Sequence, residues 1–181
     1  MKARREQMIA RLEAGDRLEI HELLARYAWS LDTGDEAGFV TCFTQDGELL
    51  WDVFDEPGRW QGGLALQRFA AYFRSRPESA QRQHHVTNIR VTLTTESVQA
   101  KSYVLVALRT DPGPHRLNVM GYYEDILQHE DGHWRIARRV IRDWSGPVVA
   151  NIAGQDGQRR ARQRPEALDG LWATQVTSAG L

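Results

Sequence analysis

Cysteine is almost missing from this 181-residue chain. The one residue of that type, Cys42, excludes an intrachain disulfide and any zinc site built on several thiolates. Charge of one sign is also lacking. Twenty-three Lys and Arg against 24 Asp and Glu leave a formal charge of −1, so no basic field favours nucleic acid or an anionic membrane. The one basic run, Arg159-Arg160-Ala161-Arg162-Gln163-Arg164, reads as a solvated helical face. No apolar run approaches the ~20 residues of a membrane span, and the charged first residues are followed by no apolar leader core. A soluble cytoplasmic protein is expected. The chain has no G-x-S-x-G turn for a serine hydrolase and no G-x-G-x-x-G fingerprint for a dinucleotide. Its six histidines show no paired helical spacing, and three fall in or beside turns. Neither a cofactor nor a metal is expected.

What is present changes character halfway along. After a polar, helix-compatible start and a Gly15-Asp16 cap signal, Leu18, Leu23, Leu24, Tyr27, Ala28 and Leu31 recur near helical spacing. That predicts a helix ending near Asp32-Thr33-Gly34. A short helix over 35–43, with Phe39, Val40 and Phe43 inward, leads to a turn signal, Thr44-Gln45-Asp46-Gly47. Strands are expected over 48–54 and, after Pro57-Gly58, up to Gln61. A further helix carries Leu64, Leu66, Phe69, Ala70 and Phe73 and stops before Pro77. The second half holds four long alternating stretches, 84–94, 97–109, 115–128 and 133–144, joined by hairpin signals at Asp111-Pro112-Gly113-Pro114 and His129-Glu130-Asp131-Gly132. Helices followed by a meander predict an α+β fold, with a curved, mainly antiparallel sheet wrapped around N-terminal helices and an apolar pocket between them. Residues 1–146 are expected to form this domain. The tail over 147–181 holds Leu168, Leu171 and Trp172, which a solvated tail would not keep, so it is expected to pack on another subunit of a homotrimer or homodimer.

Chemistry enters with three residues in order. Tyr27 and Asp32 lie five apart at the end of the first helix, and a histidine pair, His84-His85, opens the first long strand. A carboxylate can fix one imidazole nitrogen so that the other acts as a base near neutral pH. Asp32 is poorly placed as a plain helix terminus because it faces the negative end of the helix dipole. Strict alternation puts His85 on the more apolar face with Thr87, Ile89, Val91 and Leu93, leaving His84 with Val86, Asn88 and Arg90. A bulge near the strand start, or a polar pocket mouth, would reverse that. In the last strand Arg138 and Arg142 share a face with Trp134, Ile136, Val140 and Trp144, and a carbonyl or anion clamp is one use for them. Trp51, Phe54, Phe69 and Phe73 suit ordinary core, and equally a flat ring-bearing ligand.

Arg26-Tyr27, Leu31-Asp32-Thr33-Gly34-Asp35, Phe43-Thr44-Gln45-Asp46-Gly47, His84-His85-Val86-Thr87-Asn88, Gly121-Tyr122-Tyr123-Glu124-Asp125 and Gly132-His133-Trp134-Arg135-Ile136 together resemble the SnoaL-like branch of the nuclear transport factor two-like superfamily. Relatives there include scytalone dehydratase, the lindane dehydrochlorinase and bile-acid 7-alpha-dehydratase. The resemblance spans about 18–144. It implies a cone-shaped α+β barrel around a deep hydrophobic cavity, a catalytic Asp32-His84 pair with Tyr27 as a third member, and a functional arginine near Arg142. The quoted motifs also place Asn88 and Tyr122 among the expected substrate contacts, beside Trp51, Phe54, Phe69 and Phe73. One departure stands out: the second histidine of scytalone dehydratase is replaced in the stretch Val106-Ala107-Leu108-Arg109. The expected function is a cofactor-independent lyase or isomerase acting on a hydrophobic cyclic small molecule. The alternative is a binding protein or the small subunit of a ring-hydroxylating dioxygenase.

Overall fold

In the computed structural model, which describes residues 12–76, 81–109, 113–144 and 162–175, helix α1 (Ala14–Thr33) opens with a reciprocal cap between Glu13 and Asp16. Its buried stripe is Ile20, Leu23, Leu24, Tyr27 and Leu31. The expected stripe member Leu18 falls off it and is 65% exposed. Gly34, at φ 73°, closes the helix in the left-handed conformation. Asp35 then caps α2 (Glu36–Thr41) by accepting from the Gly38 N–H, and Phe39 of that helix is buried.

Strand β1 (Phe43–Asp52) departs from expectation. The Thr44–Gly47 signal does not turn the chain; it is absorbed as an irregularity inside the strand, where pairing jumps from Phe43 opposite Ile136 to Glu48 opposite Arg138. Gly47 is required there, because a Cβ would meet the Phe43 side chain at 2.7 Å. Strand β2 (Gly58–Gln61) returns antiparallel, and α3 (Gly63–Arg74) buries Ala65, Leu66, Phe69 and Ala70. Strands β3 (Gln83–Leu93), β4 (Val98–Arg109), β5 (His115–Glu130) and β6 (His133–Asp143) form the expected meander. The sheet order is β2-β1-β6-β5-β4-β3, antiparallel throughout except where β1 lies parallel to β6. Helix α1 lies across β3 and β6 while α3 covers β1 and β2, so the curved sheet closes around the helices as a cone.

Single-residue bulges in β3 and β6 set which of their side chains face inward. Asn88 and Ile89 together oppose Ser102, and Asn88 adopts φ 53°, so His84 and Val86 share the inner face with Ile89, Val91 and Leu93. In β6, Ala137 is the extra residue. Trp134 and Ile136 face in before it, and Arg139 and Ile141 after it. The arginine at the core is therefore Arg139, not Arg138.

The described part of the C-terminal segment, residues 162–175, packs on its own chain. Arg162 pairs with β1's continuation at Phe54, a 3-10 turn runs over Glu166–Leu168, and α4 (Asp169–Trp172) follows. Leu171 and Trp172 are buried against their own chain, with Trp172 between Trp51, Phe54 and Trp60 at ring separations of 5.4–5.7 Å. The Trp172 indole N–H donates to the Glu56 carbonyl and that of Trp60 to the Thr174 hydroxyl. Three aromatic neighbours thus give Trp172 cover within its own chain. The Pro77 stop, Asp111-Pro112, the boundary at Pro147 and the basic run up to Ala161 lie outside the described residues.

Trp172→Ala should therefore cost about 3–5 kcal/mol, the range for truncating a buried Trp, in denaturant unfolding at protein concentrations low enough to dissociate any oligomer. A loss under ~1 kcal/mol would show that the segment is not part of the core.

Candidate active site

His84 stands one residue into β3, and Asp32 in the last turn of α1. The Asp32 carboxylate grips His84 twice: Oδ2 accepts the backbone N–H at 2.7 Å, and Oδ1 lies 2.5 Å from the ring Nδ1. Both side chains are shielded, at 14% and 10% exposure. With Nδ1 turned to the carboxylate, Nε2 is the ring nitrogen left for chemistry. Burial holds the His84 pKa below its ordinary 6.5, while the Asp32 hydrogen bond and charge act in the opposite direction. The ring is therefore neutral at pH 7, with its tautomer set by Asp32.

His84 is part of the wall of a cavity of about 520 Å³. Tyr27, Trp51, Phe54, Phe69, Phe73 and Tyr123 supply aromatic wall, and Leu31, Val104, Val106 and Ile141 aliphatic wall. The C-terminal segment adds Ala167 and Leu168, with the Ala167 carbonyl accepting from the Tyr72 hydroxyl at 2.7 Å. The Tyr27 hydroxyl is buried and makes no hydrogen bond among the described residues. Burial pushes its pKa up to about 12, so it remains a proton donor at neutral pH. Beneath Tyr27 and Tyr123 lies Arg139, its guanidinium 3.9 and 4.2 Å from the two ring centres. It donates twice to Asp125, at 2.7 and 2.8 Å, and both members of the pair are fully buried. Burial opposes its charge, but Asp125 more than offsets that and holds the guanidinium more firmly protonated than a free arginine.

Tyr27, His84, Trp51, Phe54, Phe69 and Phe73 thus all lie at the cavity, with Asp32 directly behind His84. Two expected contacts do not. Asn88 is exposed, because it is the bulge residue that re-aims the strand. Tyr122 points the other way and meets the Trp144 ring at 6.0 Å; its neighbour Tyr123 faces in. Arg142 touches the cavity, but its guanidinium is engaged by Glu124 at 3.0 Å and by Asp52. Sequence reasoning missed Tyr123, Arg139 and Arg82. Alternation along Gly121, Tyr123, Asp125 and Leu127 could have found the first, and a two-residue step back from His84 the last. The Ala137 bulge hid Arg139.

A family model described as a SnoaL-like domain matches residues 12–140. A search among curated proteins found no match. Among solved structures, the chain is similar to a Mycobacterium tuberculosis protein of unknown function, solved as an Asp-to-Asn variant. The identity is 25% over 90% of this chain and 95% of that one, with a TM-score of 0.69. It is also similar to a nuclear transport factor two-like protein with a cystatin-like fold from Novosphingobium aromaticivorans, at 23% identity over 78% and 90% of the two chains and a TM-score of 0.66. A Catenulispora acidiphila protein in complex with S-DNPA matches at 25% identity over 78% and 99%, with a TM-score of 0.62.

The two opposed influences on His84 can be separated by its titration. Asp32→Asn removes the partner that raises the His84 pKa, so the imidazole signal followed by NMR should titrate at lower pH than in wild type. An unchanged midpoint would mean that Asp32 does not control the ring. The linked effect on stability has a definite sign. The folded pKa is depressed below the unfolded value of ~6.5, so the neutral ring's contribution is intact above that pH. It is lost as the pH falls from there through the folded pKa.

Proposed function

We propose that this chain, which belongs to the SnoaL-like domain family, is a cofactor-independent lyase or isomerase that moves a proton on a hydrophobic cyclic small molecule. The observation that carries this reading is the double grip of Asp32 on His84 at the wall of an apolar cavity. A neutral imidazole with Nδ1 held by a carboxylate presents the Nε2 lone pair as a base, and the carboxylate stabilises the imidazolium that forms when it takes a proton. The proton comes from carbon next to an activating carbonyl, which then carries developing negative charge. Tyr27 donates a hydrogen bond to that oxygen, or to a departing hydroxyl. In a water-poor site such a donor is worth a few kcal/mol of transition-state stabilisation. Its lack of another partner and its raised pKa suit it to that role. Arg139 touches no cavity surface. It acts through the tyrosine rings it underlies, holding Tyr27 and Tyr123 in place. Elimination and isomerisation share this first step and differ in whether the electron pair expels a leaving group or is reprotonated elsewhere.

The experiment is turnover of a panel of hydroxylated ketones and steroid-like enones. His84→Gln should lower the rate by a factor of about 10²–10⁴, the usual span for a general base, with stability changed by no more than ~1–2 kcal/mol. The exposed His85, as His85→Gln, should do much less. kcat/KM should be flat above neutrality and fall as the pH drops through a value below 6.5, because protonated His84 has no lone pair to offer. Wild-type rates in both histidine variants, or a panel that binds without any turnover, would refute the catalytic reading.

A further inference from the structure

Arg82 is a charged group on the cavity wall that proton transfer leaves unused. It precedes His84 by two residues and faces the same side, and it is among the residues lining the cavity. Its side chain is only 10% exposed. The guanidinium lies 4.4 Å over the Phe73 ring, and among the described residues its hydrogen bond is a single one, from Nη2 to the Leu31 carbonyl at 3.3 Å. Asp32 is its ion-pair partner, but at a separation longer than a well-formed hydrogen bond. Both carboxylate oxygens are engaged by His84, and the nearest, Oδ1, stands 3.7 Å from the Arg82 Nε. That nitrogen is buried without a well-formed hydrogen bond among the described residues. A guanidinium has five N–H donors in a planar fork, so most of this one's capacity is unspent in a site where stranded donors are costly.

The other charges at the cavity are arranged differently. Arg142 is engaged by Glu124 and Asp52, Arg162 pairs with Asp143 at 2.8 Å, and Arg76 lies over the Tyr72 ring. Arg139 donates twice to Asp125 and, though its Nη1 is buried without an acceptor among the described residues, it is not among the residues that line the cavity. The group matched to an incoming acceptor beside His84 is therefore Arg82. We propose that Arg82 is a specificity-determining residue that selects ring compounds carrying an anionic oxygen, a carboxylate or an ionised phenol, and seats that oxygen on the wall it shares with His84. This names a substrate class for the proton-transfer reading and rests on it for the reaction, though not for the binding. Burial also pulls the Arg82 pKa down, against the charge of Asp32. An anionic ligand would relieve that penalty, as opposite charges do. Held there, the ring's oxygen would fix which carbon presents its hydrogen to Nε2.

The test is a pair of ligands of matched shape, one with a carboxylate and one with its neutral amide: 2-naphthoate and 2-naphthamide, titrated by calorimetry into the full chain at pH 7.5. Neither has an acidic C–H beside a carbonyl, so binding is read without turnover. Wild-type protein should bind the carboxylate on the order of tenfold to a hundredfold more tightly, the span of one charge-assisted hydrogen bond. Arg82→Gln should bind the amide as wild type does and lose the preference for the carboxylate. Equal wild-type affinities overturn the proposal without recourse to any variant, and so does a preference that survives in Arg82→Gln. Either result leaves the role of His84 standing. Failure of the ketone and enone panel to turn over leaves the ligand preference standing in turn.

Discussion

The Asp32 carboxylate joins two parts of the chain that are 52 residues apart, the last turn of α1 and the first residues of β3. Everything at the cavity depends on that joint. One oxygen fastens the strand's backbone, which fixes where β3 enters the sheet. The other fastens the imidazole, which fixes the tautomer. A carboxylate at a helix C-terminus is opposed by the helix dipole, so its position is explained by these two bonds and not by helix stability. The Gly34 cap completes the arrangement by ending α1 in a left-handed residue immediately beyond. The chain then leaves Asp32 at a defined height above the sheet.

The cavity rests on a second buried charge pair with a different task. Arg139 and Asp125 face each other across neighbouring strands β6 and β5 and are wholly removed from water. A buried ion pair gives little net stability compared with apolar packing, yet losing one partner costs about 3–5 kcal/mol. Its value here is geometric. The guanidinium lies against both Tyr27 from the helix and Tyr123 from the sheet, whose rings meet each other edge-on, and this ties the two layers beneath the cavity. The floor is thus stiff and polar beneath, while the ligand-facing surface stays aromatic.

Much of this was legible in the chain. The helical stripe of α1 and the four alternating stretches gave the order of elements, because amphipathic period is imposed by burial itself. Tyr27, Asp32 and His84 were legible as an ordered set. The two places where alternation misleads share one cause. Alternation is a sound guide only while register holds, and both the β3 and β6 patterns are broken by one extra residue. Counting back from Leu93 through an unbroken strand selects His85, and counting forward from Trp134 selects Arg138. Each error is corrected by a single inserted position, Asn88 or Ala137. Asn88 carries a weak signal of its own, since asparagine tolerates φ > 0, whereas an alanine in a strand carries none. The packing of the C-terminal segment was not legible for another reason. Sequence shows that Leu171 and Trp172 need cover but not whose surface provides it, and the partners Trp51 and Trp60 lie more than a hundred residues away.

The bulges are therefore the feature that makes a site out of a sheet. Without the Asn88 insertion, the face of β3 that packs on α1 through Ile89, Val91 and Leu93 would carry His85, and His84 would point away from Asp32. With it, the apolar half of the strand packs as core while its first residues turn Arg82 and His84 inward together. A one-residue slip exchanges every side chain between the two faces, so placing the slip between the core half and the site half lets each half follow its own pattern. The same logic operates in β6. Trp134 and Ile136 build core before Ala137, and after it Arg139 enters the interior to meet Asp125. Two positions of irregular pairing, both outside the cavity, thereby decide that Arg82 and His84 reach its wall and that Arg139 enters the core.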